Sequence, residues 1–310
     1  MIKNTFFLSI IISILFLFSC NSNENGEEAL AFSSIELTST PFLHGVASGD
    51  PLGKAVIIWT RVSVDTQSSA TVKWSIAKDE AFENIIQSDY LTTDASKDFT
   101  VKVDVRELKS NTYYYYKFEL GDYTSPVGRT KTTPLGHKEA SKVRLAVVSC
   151  SNYEAGYFNS YAKLAEKPNI DAVLHLGDYI YEYGTGTYGD TTIPRKHLPA
   201  KEIITLDDYR TRYAQYRKDQ MLQRVHQVHP FISIWDDHEI ANNAHIEGAE
   251  NHNTDKDEGD YQMRKSAAKQ VYYEWMPIRE SPNLYRKFEF GNLTTLLMLD
   301  ERLAGRTPPV

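Results

Sequence analysis

Four apolar, strand-like segments of this 310-residue sequence each end in a side chain that is able to bind a metal ion. These side chains are Cys150, Asp178, Asp237 and Asp300. The carboxyl ends of strands in an open α/β sheet meet at one edge, where ligands bind, so we expect the four to converge with Tyr181 and His238. A lone Asp after a strand often only caps a helix or starts a turn. Several carboxylates close together repel one another unless protons or cations lie between them, and the pattern therefore predicts a cation site.

The segments that carry these residues alternate with helical patterns. Buried strands are predicted at residues 143–150, 170–176, 231–235 and 293–299, and helices at residues 156–167, 206–225 and 260–276. Glycine and proline in residues 182–205 predict a long surface loop. The alternation is typical of a layered α/β domain, which we place at residues 140–310.

Residues 41–135 show a different pattern, of short strands separated by turn signals. Val72, Trp74 and Ile76 lie on one face of an alternating segment, as a strand with one buried face requires. The tyrosine-rich residues 113–120 precede a glycine turn and resemble a late strand of fibronectin-type modules. The spacing predicts a fibronectin/Ig-like all-β sandwich. We expect it to act as a scaffold or lid, because no catalytic set of residues lies in it.

The amino terminus has the pattern of an export signal. Lys3 precedes the apolar residues 6–18, and Cys20 follows a small residue. This order predicts a lipoprotein signal peptide over residues 1–20, with Cys20 as the lipidated residue. A plain signal peptide with a chance Cys is the alternative, and a membrane span is disfavoured because the apolar run is shorter than the ~20 residues that a span needs. Polar residues then predict a flexible tether over residues 21–40.

The net charge and the predicted export signal restrict which partners and which location we expect for this protein. The formal net charge of −7 provides no basic face for nucleic acid. An acyl anchor predicts a cell-envelope protein, at the periplasmic side or in the outer membrane, and we expect a monomer. If Cys20 is lipidated, Cys150 has no disulfide partner, which favours a metal-ligand role over that of a small buried hydrophobic residue.

Two motifs at the strand ends resemble those of known metalloenzymes. Residues 177–181 resemble the Gly-Asp-x-x-Tyr element of calcineurin-like and purple-acid-type metallophosphatases, and residues 235–239 stand where those enzymes carry Gly-Asn-His-Glu. The wider sequence is more similar to the PhoD-type alkaline phosphatases, at residues 44–51, 59–61, 149–150, 175–183, 209–213, 235–242 and 274–277. The resemblance covers residues 41–302 and implies an amino-terminal sandwich followed by a four-layer metallophosphatase domain.

The resemblance also implies roles for the residues at the strand ends. Asp178 would bridge two metal ions, since a carboxylate is able to bind one ion through each oxygen. Tyr181 as a phenolate and Cys150 as a thiolate would bind iron (Fe³⁺). Asp237 would stand in for the family's Asn ligand, and its additional negative charge suits calcium (Ca²⁺).

His238 and Arg302 are the catalytic residues that the resemblance implies. His238 would contact the phosphate or protonate the leaving oxygen, and Arg302 would hold phosphate through two hydrogen bonds. The implied activity is hydrolysis of a phosphate mono- or diester by in-line attack of hydroxide that metal ions generate from water. The alternatives are a phospholipase D-like phosphodiesterase on the same scaffold and a non-catalytic lipoprotein whose sandwich binds a partner or a glycan.

Neighbouring polar residues have simpler interpretations. His175 lies inside an apolar strand and predicts a hydrogen-bonded core histidine, whereas Tyr179 and Tyr183 predict packing residues. Asn242 and Asn243 are expected either to face the site or to cap a helix. A solvated loop is predicted for the next polar residues, because their spacing lacks the Gly and Glu of a calcium-binding loop. They are His245, His252, Asp255, Asp257 and Asp260.

Metallophosphatases of this architecture also take ligands from histidine-rich loops in their second half, whereas the last histidine of this sequence is His252. We therefore expect an incomplete metallophosphatase domain that has an exposed sheet edge and only the first half of a metal site. For this chain alone, weak metal binding and slow turnover are expected.

Overall fold

A computed structural model describes residues 41–64, 67–136, 140–282 and 284–308. The signal peptide, the tether and the lipidated Cys20 that the sequence predicts lie outside these ranges. Within them, no helix combines the length and the apolar character that crossing a membrane requires.

The first region folds as two sheets on either side of an apolar core. Its strands are β1 (Val46–Leu52), β2 (Ala55–Arg61), β3 (Ser69–Ala77), β4 (Ile85–Asp94), β5 (Thr100–Val105), β6 (Tyr113–Leu120), β7 (Tyr123–Thr124) and β8 (Gly128–Lys131). Strands β5, β2 and β1 belong to one sheet, and β4, β3, β6, β7 and β8 form the other. Val72 and Ile76 are fully buried in the core between them. The predicted all-β sandwich is confirmed.

The second region contains the predicted alternation of strands and helices. Its elements are β9 (Leu145–Val148), α1 (Asn159–Ala165), β10 (Ala172–His175), α2 (Leu206–Arg217), α3 (Gln220–Val228), β11 (Pro230–Ser233), α4 (Tyr261–Trp275), β12 (Arg286–Phe290) and β13 (Thr294–Met298). Strands β9, β10 and β11 are parallel neighbours, so their carboxyl ends lie at one edge. Residues 182–205 form the predicted long loop. The α/β class is therefore confirmed.

One six-stranded sheet runs through both regions in the order β5–β2–β1–β11–β10–β9. The two regions meet where β1 pairs in parallel with β11 and Gly49 lies opposite Phe231. A Cβ at position 49 would lie 2.3 Å from the carbonyl oxygen of Pro277 and 2.7 Å from that of Phe231, so this approach requires glycine. Three strands of the sandwich therefore continue the sheet that carries the candidate site.

Three expectations from the sequence are wrong in detail. Residues 206–225 form parts of two helices rather than one, because the Asp219 side chain accepts the backbone N–H groups of Met221 and Leu222 and so starts α3. Strand β9 is only partly buried, since it is the edge of the sheet in the described chain, and Val147 is 60% exposed. Strand β13 pairs with β12 in a separate two-stranded sheet and does not join β9–β11.

Candidate metal and phosphate site

The chain turns sharply at the ends of β9 and β10, where Cys150 and Asp178 lie. Both have a left-handed backbone, with φ of 58° at Cys150 and 56° at Asp178. This conformation costs residues other than glycine about 1 kcal/mol. The two turns bond to each other, because the N–H of Cys150 donates to the carbonyl of Gly177 at 3.2 Å and that of Ser151 to the carbonyl of Asp178 at 2.8 Å. A strained but well-bonded backbone thus places the thiol beside the carboxylate.

Gly177 and Glu239 hold the loops after β10 and β11 together. Gly177 has a φ of +105°, and a Cβ there would lie 2.3 Å from the backbone nitrogen of Asp236. The buried Glu239 carboxylate accepts the N–H groups of Asp178 at 3.0 Å, Tyr179 at 2.6 Å and Asp236 at 2.8 Å. Burial and the charge of Asp178 raise the pKa of Glu239 to about 8, although these donors oppose the rise. Glu239 therefore positions both loops through their backbones.

The residues predicted as metal ligands come together at this edge of the sheet. Ligand atoms of Asp178, Asp237 and His238 lie within 4.8 Å of one another. Cys150 Sγ and Tyr181 Oη each lie 3.4 Å from Asp178 Oδ2. Asp178 is therefore at the centre of a five-residue cluster drawn from three separate loops.

The electrostatics of this cluster fit a bound cation. Burial raises the pKa of Asp178, as does the charge of Asp237, while the charge of His238 lowers it. Partial burial and the nearby Asp178 carboxylate also raise the pKa of the Cys150 thiol and of the Tyr181 phenol. Asp178 Oδ1 is buried and has no hydrogen-bond partner among the residues that the structure describes. A metal ion would give this oxygen a partner and would favour the ionised form of all the ligands.

His238 is held by Glu182, an acid to which the sequence assigned no role. His238 Nδ1 lies 2.7 Å from Glu182 Oε2, and its ring stacks on Tyr181 with centroids 4.3 Å apart. The buried Glu182 carboxylate also accepts the backbone N–H of Asn242 at 2.6 Å and the side-chain amide of Asn251 at 2.8 Å. Burial lowers the pKa of His238, but the hydrogen bond and charge of Glu182 outweigh burial and raise it to about 9. The bond to Glu182 therefore favours the protonated imidazole, and Nε2 is not used in this contact.

Arg302 reaches the cluster from the turn after β13. Its Nε bonds to Asp236 Oδ1, and its Nη2 lies 3.4 Å from Asp237 Oδ1. Its Nη1 is buried without a partner in the described part of the chain. Asp300 closes the turn, since its Oδ1 accepts the N–H groups of Arg302 at 3.1 Å and Leu303 at 2.8 Å. Arg302 thus lies beside the predicted ligands, and Nη1 is its nitrogen without a partner among the described residues.

His175 is the core histidine that its place in a strand predicts. It is fully buried, its Nδ1 accepts the N–H of Gly177 at 3.3 Å, and its Nε2 lies 3.1 Å from Tyr161 Oη. Burial lowers the pKa of His175 to about 3, so the ring is neutral. Tyr179 is also buried, with its Oη 2.8 Å from His226 Nε2. His175 is thus a hydrogen-bonded core histidine and Tyr179 a packing residue, as the sequence predicts.

The two asparagines after His238 support the loop around the site. The backbone N–H of Asn243 donates to Asp237 Oδ2 at 2.6 Å, while the side-chain amides of Asn242 and Asn243 both bond to Glu250. The polar loop that follows ends where Asp260 caps α4. In the described ranges, Asp178, Asp237 and His238 are the one group of acidic, His or Cys side chains close enough to share an ion.

Glu182 and Glu239 are the functional residues that sequence reasoning missed. Each is an acid inside one of the strand-end motifs, among aromatic or apolar neighbours that predict burial. A buried acid needs partners, and that requirement is the signal that marks them. Which groups they bond was beyond the sequence, because Glu182 and His238 are 56 residues apart.

A sandwich that shares its sheet with an α/β region, and a cluster of acid, thiol, phenol and imidazole at the carboxyl edge, define a protein of the metallophosphatase class. The chain belongs to the PhoD-like phosphatase family. Residues 145–310 match the family described as PhoD-like phosphatase, and residues 28–134 match the PhoD-like phosphatase, N-terminal domain. These matches confirm the family that the sequence motifs indicate.

Two relatives agree with this assignment. The chain is 41% identical over 279 residues to alkaline phosphatase D of Bacillus subtilis (strain 168), in an alignment that covers 86% of the chain and 47% of that protein. A solved structure described as the structure of PhoD superposes with a TM-score of 0.80 and 41% identity, covering 86% of this chain and 53% of the other. The chain thus spans about half the length of the relatives that it matches.

Proposed function

We propose that this protein hydrolyses phosphate mono- or diesters with the help of bound metal ions. The observation that carries the proposal is the buried Asp178 Oδ1, which lacks a partner among the described residues and lies in a cluster of potential ligand atoms. His238 belongs to the cluster and the guanidinium of Arg302 lies beside it, where both would be able to contact a phosphate. Membership of the PhoD-like phosphatase family supports the same reaction class.

The metal ions would be held by the residues that surround Asp178. Cys150, Asp178 and Tyr181 would hold Fe³⁺, and Asp178 and Asp237 would hold Ca²⁺, whose preferred ligands are oxygens. When bound, such ions lower the pKa of water and neutralise the charge that develops on the phosphoryl oxygens.

His238 and Arg302 would act on the phosphate itself. The protonated imidazole donates a hydrogen bond from Nε2 and transfers this proton to the leaving oxygen as the bond between phosphorus and that oxygen breaks. Glu182 holds the ring in one orientation and stabilises its charge. Arg302 Nη1 would bind a phosphate oxygen. Water that has lost one proton to solvent would supply the oxygen that bonds to phosphorus, on the side opposite the leaving oxygen, as the bond to the leaving oxygen breaks.

The test is metal content and turnover of the full chain. We expect purified protein to contain iron and calcium and to hydrolyse p-nitrophenyl phosphate or bis(p-nitrophenyl) phosphate at alkaline pH, and chelation should remove the activity. Cys150→Ser should lower the iron content with little change in the free energy of unfolding, because this thiol is exposed. Protein that holds no iron and turns over neither ester would overturn the proposal.

The proposal includes export and a lipid anchor. The basic residue, apolar run and Cys20 at the amino terminus support acylation of Cys20 and a place in the cell envelope. Cys20→Ala is expected to move the protein from the membrane fraction to a soluble fraction of the envelope. An unchanged fractionation would contradict the anchor while leaving the proposed hydrolysis untouched.

A further inference from the structure

An exposed aromatic side chain forms the outer end of a cluster of rings that begins at His238. The His238 ring is 4.3 Å from that of Tyr181 and 5.5 Å from that of Tyr183, between centroids. The Tyr188 ring lies 5.9 Å from Tyr181 and 5.5 Å from Tyr183. Tyr188 is 57% exposed, so much of its ring faces solvent although it is part of this cluster. A group of aromatic rings that are tilted relative to one another therefore extends outwards from His238.

The loop that carries Tyr188 is fixed to the segment after Cys150. The Asn152 side-chain amide donates to the carbonyl of Tyr188 at 2.7 Å. The buried Glu154 accepts the N–H of Gly186 at 2.8 Å through its carboxylate and that of Asp190 at 2.9 Å through its carbonyl. These bonds lie on both sides of Tyr188. The ring therefore has a fixed support close to the site rather than a loop without contacts beneath it.

Gly189 explains why the loop lies so close to this segment. A Cβ at position 189 would be 2.4 Å from Glu154 Cβ and 3.1 Å from its carbonyl carbon. Only glycine permits that approach without a shift of the loop. The same short segment thus follows the Cys150 turn and supports Tyr188, which links the position of the ring to that of the cluster.

We propose that Tyr188 is a specificity-determining residue that stacks against a planar aromatic substituent of the phosphoester. The inference rests on the proposed function, since a phosphate held by His238 and Arg302 would place its ester arm along the cluster of rings. Aromatic rings stack on one another with offset or edge contacts. The face of Tyr188 is large, apolar and held in place before the ligand binds, which reduces the entropy lost on binding. An aliphatic ester arm would gain less from the same surface.

Binding of non-hydrolysable phosphonates tests the inference without any need for turnover. Calorimetry would compare phenylphosphonate with methylphosphonate on the metal-loaded full chain. We expect the wild type to bind phenylphosphonate about tenfold more tightly, and Tyr188→Ala to remove most of this preference. Tyr188→Phe should retain it, since the ring remains. Tyr123→Ala is the matched control, because Tyr123 is 56% exposed but lies on β7 in the other sheet.

The outcomes separate this inference from the proposed function. A preference for phenylphosphonate that is the same in Tyr188→Ala and the wild type would overturn the role of Tyr188 while leaving the phosphate site intact. An equal loss in Tyr123→Ala and Tyr188→Ala would also overturn it. If the metal-loaded wild type bound neither phosphonate, the phosphate site itself would be wrong, and the inference would fall with it.

Discussion

Two buried aspartates, Asp50 in the sandwich and Asp178 at the sheet edge, are surrounded in opposite ways. Asp50 is 1% exposed, and its carboxylate bonds to Arg286 Nη1 at 2.6 Å and to the N–H of Arg279 at 2.8 Å. Asp178 is 6% exposed, yet its Oδ1 has no partner in the described chain and its nearest charged neighbours include the acid Asp237. Burial alone therefore does not distinguish a structural acid from a functional one. The partners do.

Other acids of the first region also pair with arginine. Asp98 pairs with Arg61 at 2.8 Å, and Asp104 pairs with Arg279 at 2.6 Å. The first region thus neutralises these carboxylates with arginines that are part of the fold. In the site, Arg302 lies 3.4 Å from Asp237, but no arginine pairs with Asp178 among the described residues. A bound cation would offset the remaining repulsion between Asp178 and Asp237.

The largest expected effect is the loss of stability in Asp50→Asn. The substitution removes the charge that pairs with the largely buried Arg286, and breaking a buried pair costs about 3 kcal/mol or more. Asn tolerates the left-handed backbone at this position, where φ is 44°. Denaturant unfolding of the metal-free protein would measure the loss. Asp122→Asn, at an exposed turn, is the control. If Asp50→Asn lowered the free energy of unfolding by less than about 1 kcal/mol, Asp50 would not have the structural role described here.

Asp178→Asn, unlike Asp50→Asn, should not lower the free energy of unfolding of the metal-free protein. Burial raises the pKa of Asp178, so its ionised form is penalised in the folded state above the ordinary pKa of the group. Without metal, the variant should be as stable as the wild type or up to about 1 kcal/mol more stable at pH 7. Its metal affinity should fall by about 100-fold or more. Calorimetry with each metal would test this, and unchanged affinity would contradict the central role of Asp178.

Glu182 shares features with both the structural and the functional acids. It is buried like Asp50, but it bonds to His238, a residue of the site. Glu182→Ala should lower kcat by about 10- to 100-fold and change KM little, because the orientation of His238 is lost. Glu182→Gln retains an acceptor for Nδ1 and should recover part of the activity. Steady-state kinetics would separate the two constants. A change in KM alone would indicate that Glu182 affects binding of the ester rather than proton transfer.

An effect on the pH dependence of stability is expected for His175, which is buried and neutral. Its pKa is lowered to about 3, whereas an unfolded chain binds a proton at the ordinary value of about 6.5. Stability contributed by this histidine is therefore present above about pH 6.5 and is lost as the pH falls, by about 1.4 kcal/mol per pH unit. In His175→Gln, the free energy of unfolding should fall less steeply between pH 6 and 4.5. The same slope in both proteins would show that His175 is not neutral.

Local patterns in the sequence predicted the elements and the edge where the site lies. Alternating Val72, Trp74 and Ile76 predicted β3, because a period of two residues reports one buried face of a strand. Strand-end position and motif resemblance together predicted that Asp178 and Asp237 would meet, as they do. Both predictions depend on signals that lie within a few residues of the feature.

Features that depend on distant contacts were not predictable in this way. The helical periodicity through residues 206–225 concealed the break, although Asp219 is a residue type that favours N-caps. Nothing in the local pattern shows that β1 pairs with β11, since parallel pairing leaves no mark on either strand. The hydrogen bond between Glu182 and His238 was not predictable either, because the two residues are 56 positions apart and meet only in the folded chain.

The pairing of β1 with β11 means that the boundary between residues 135 and 140 separates two sequence families but not two folding units. Deleting the sandwich would leave β11 with an open hydrogen-bonding edge, which is prone to aggregation. It would also remove Asp50 from beside Arg286. A transplant of the α/β region into another protein would therefore need to take β1, β2 and β5 with it, and thermal unfolding of the whole chain is expected to be a single cooperative transition.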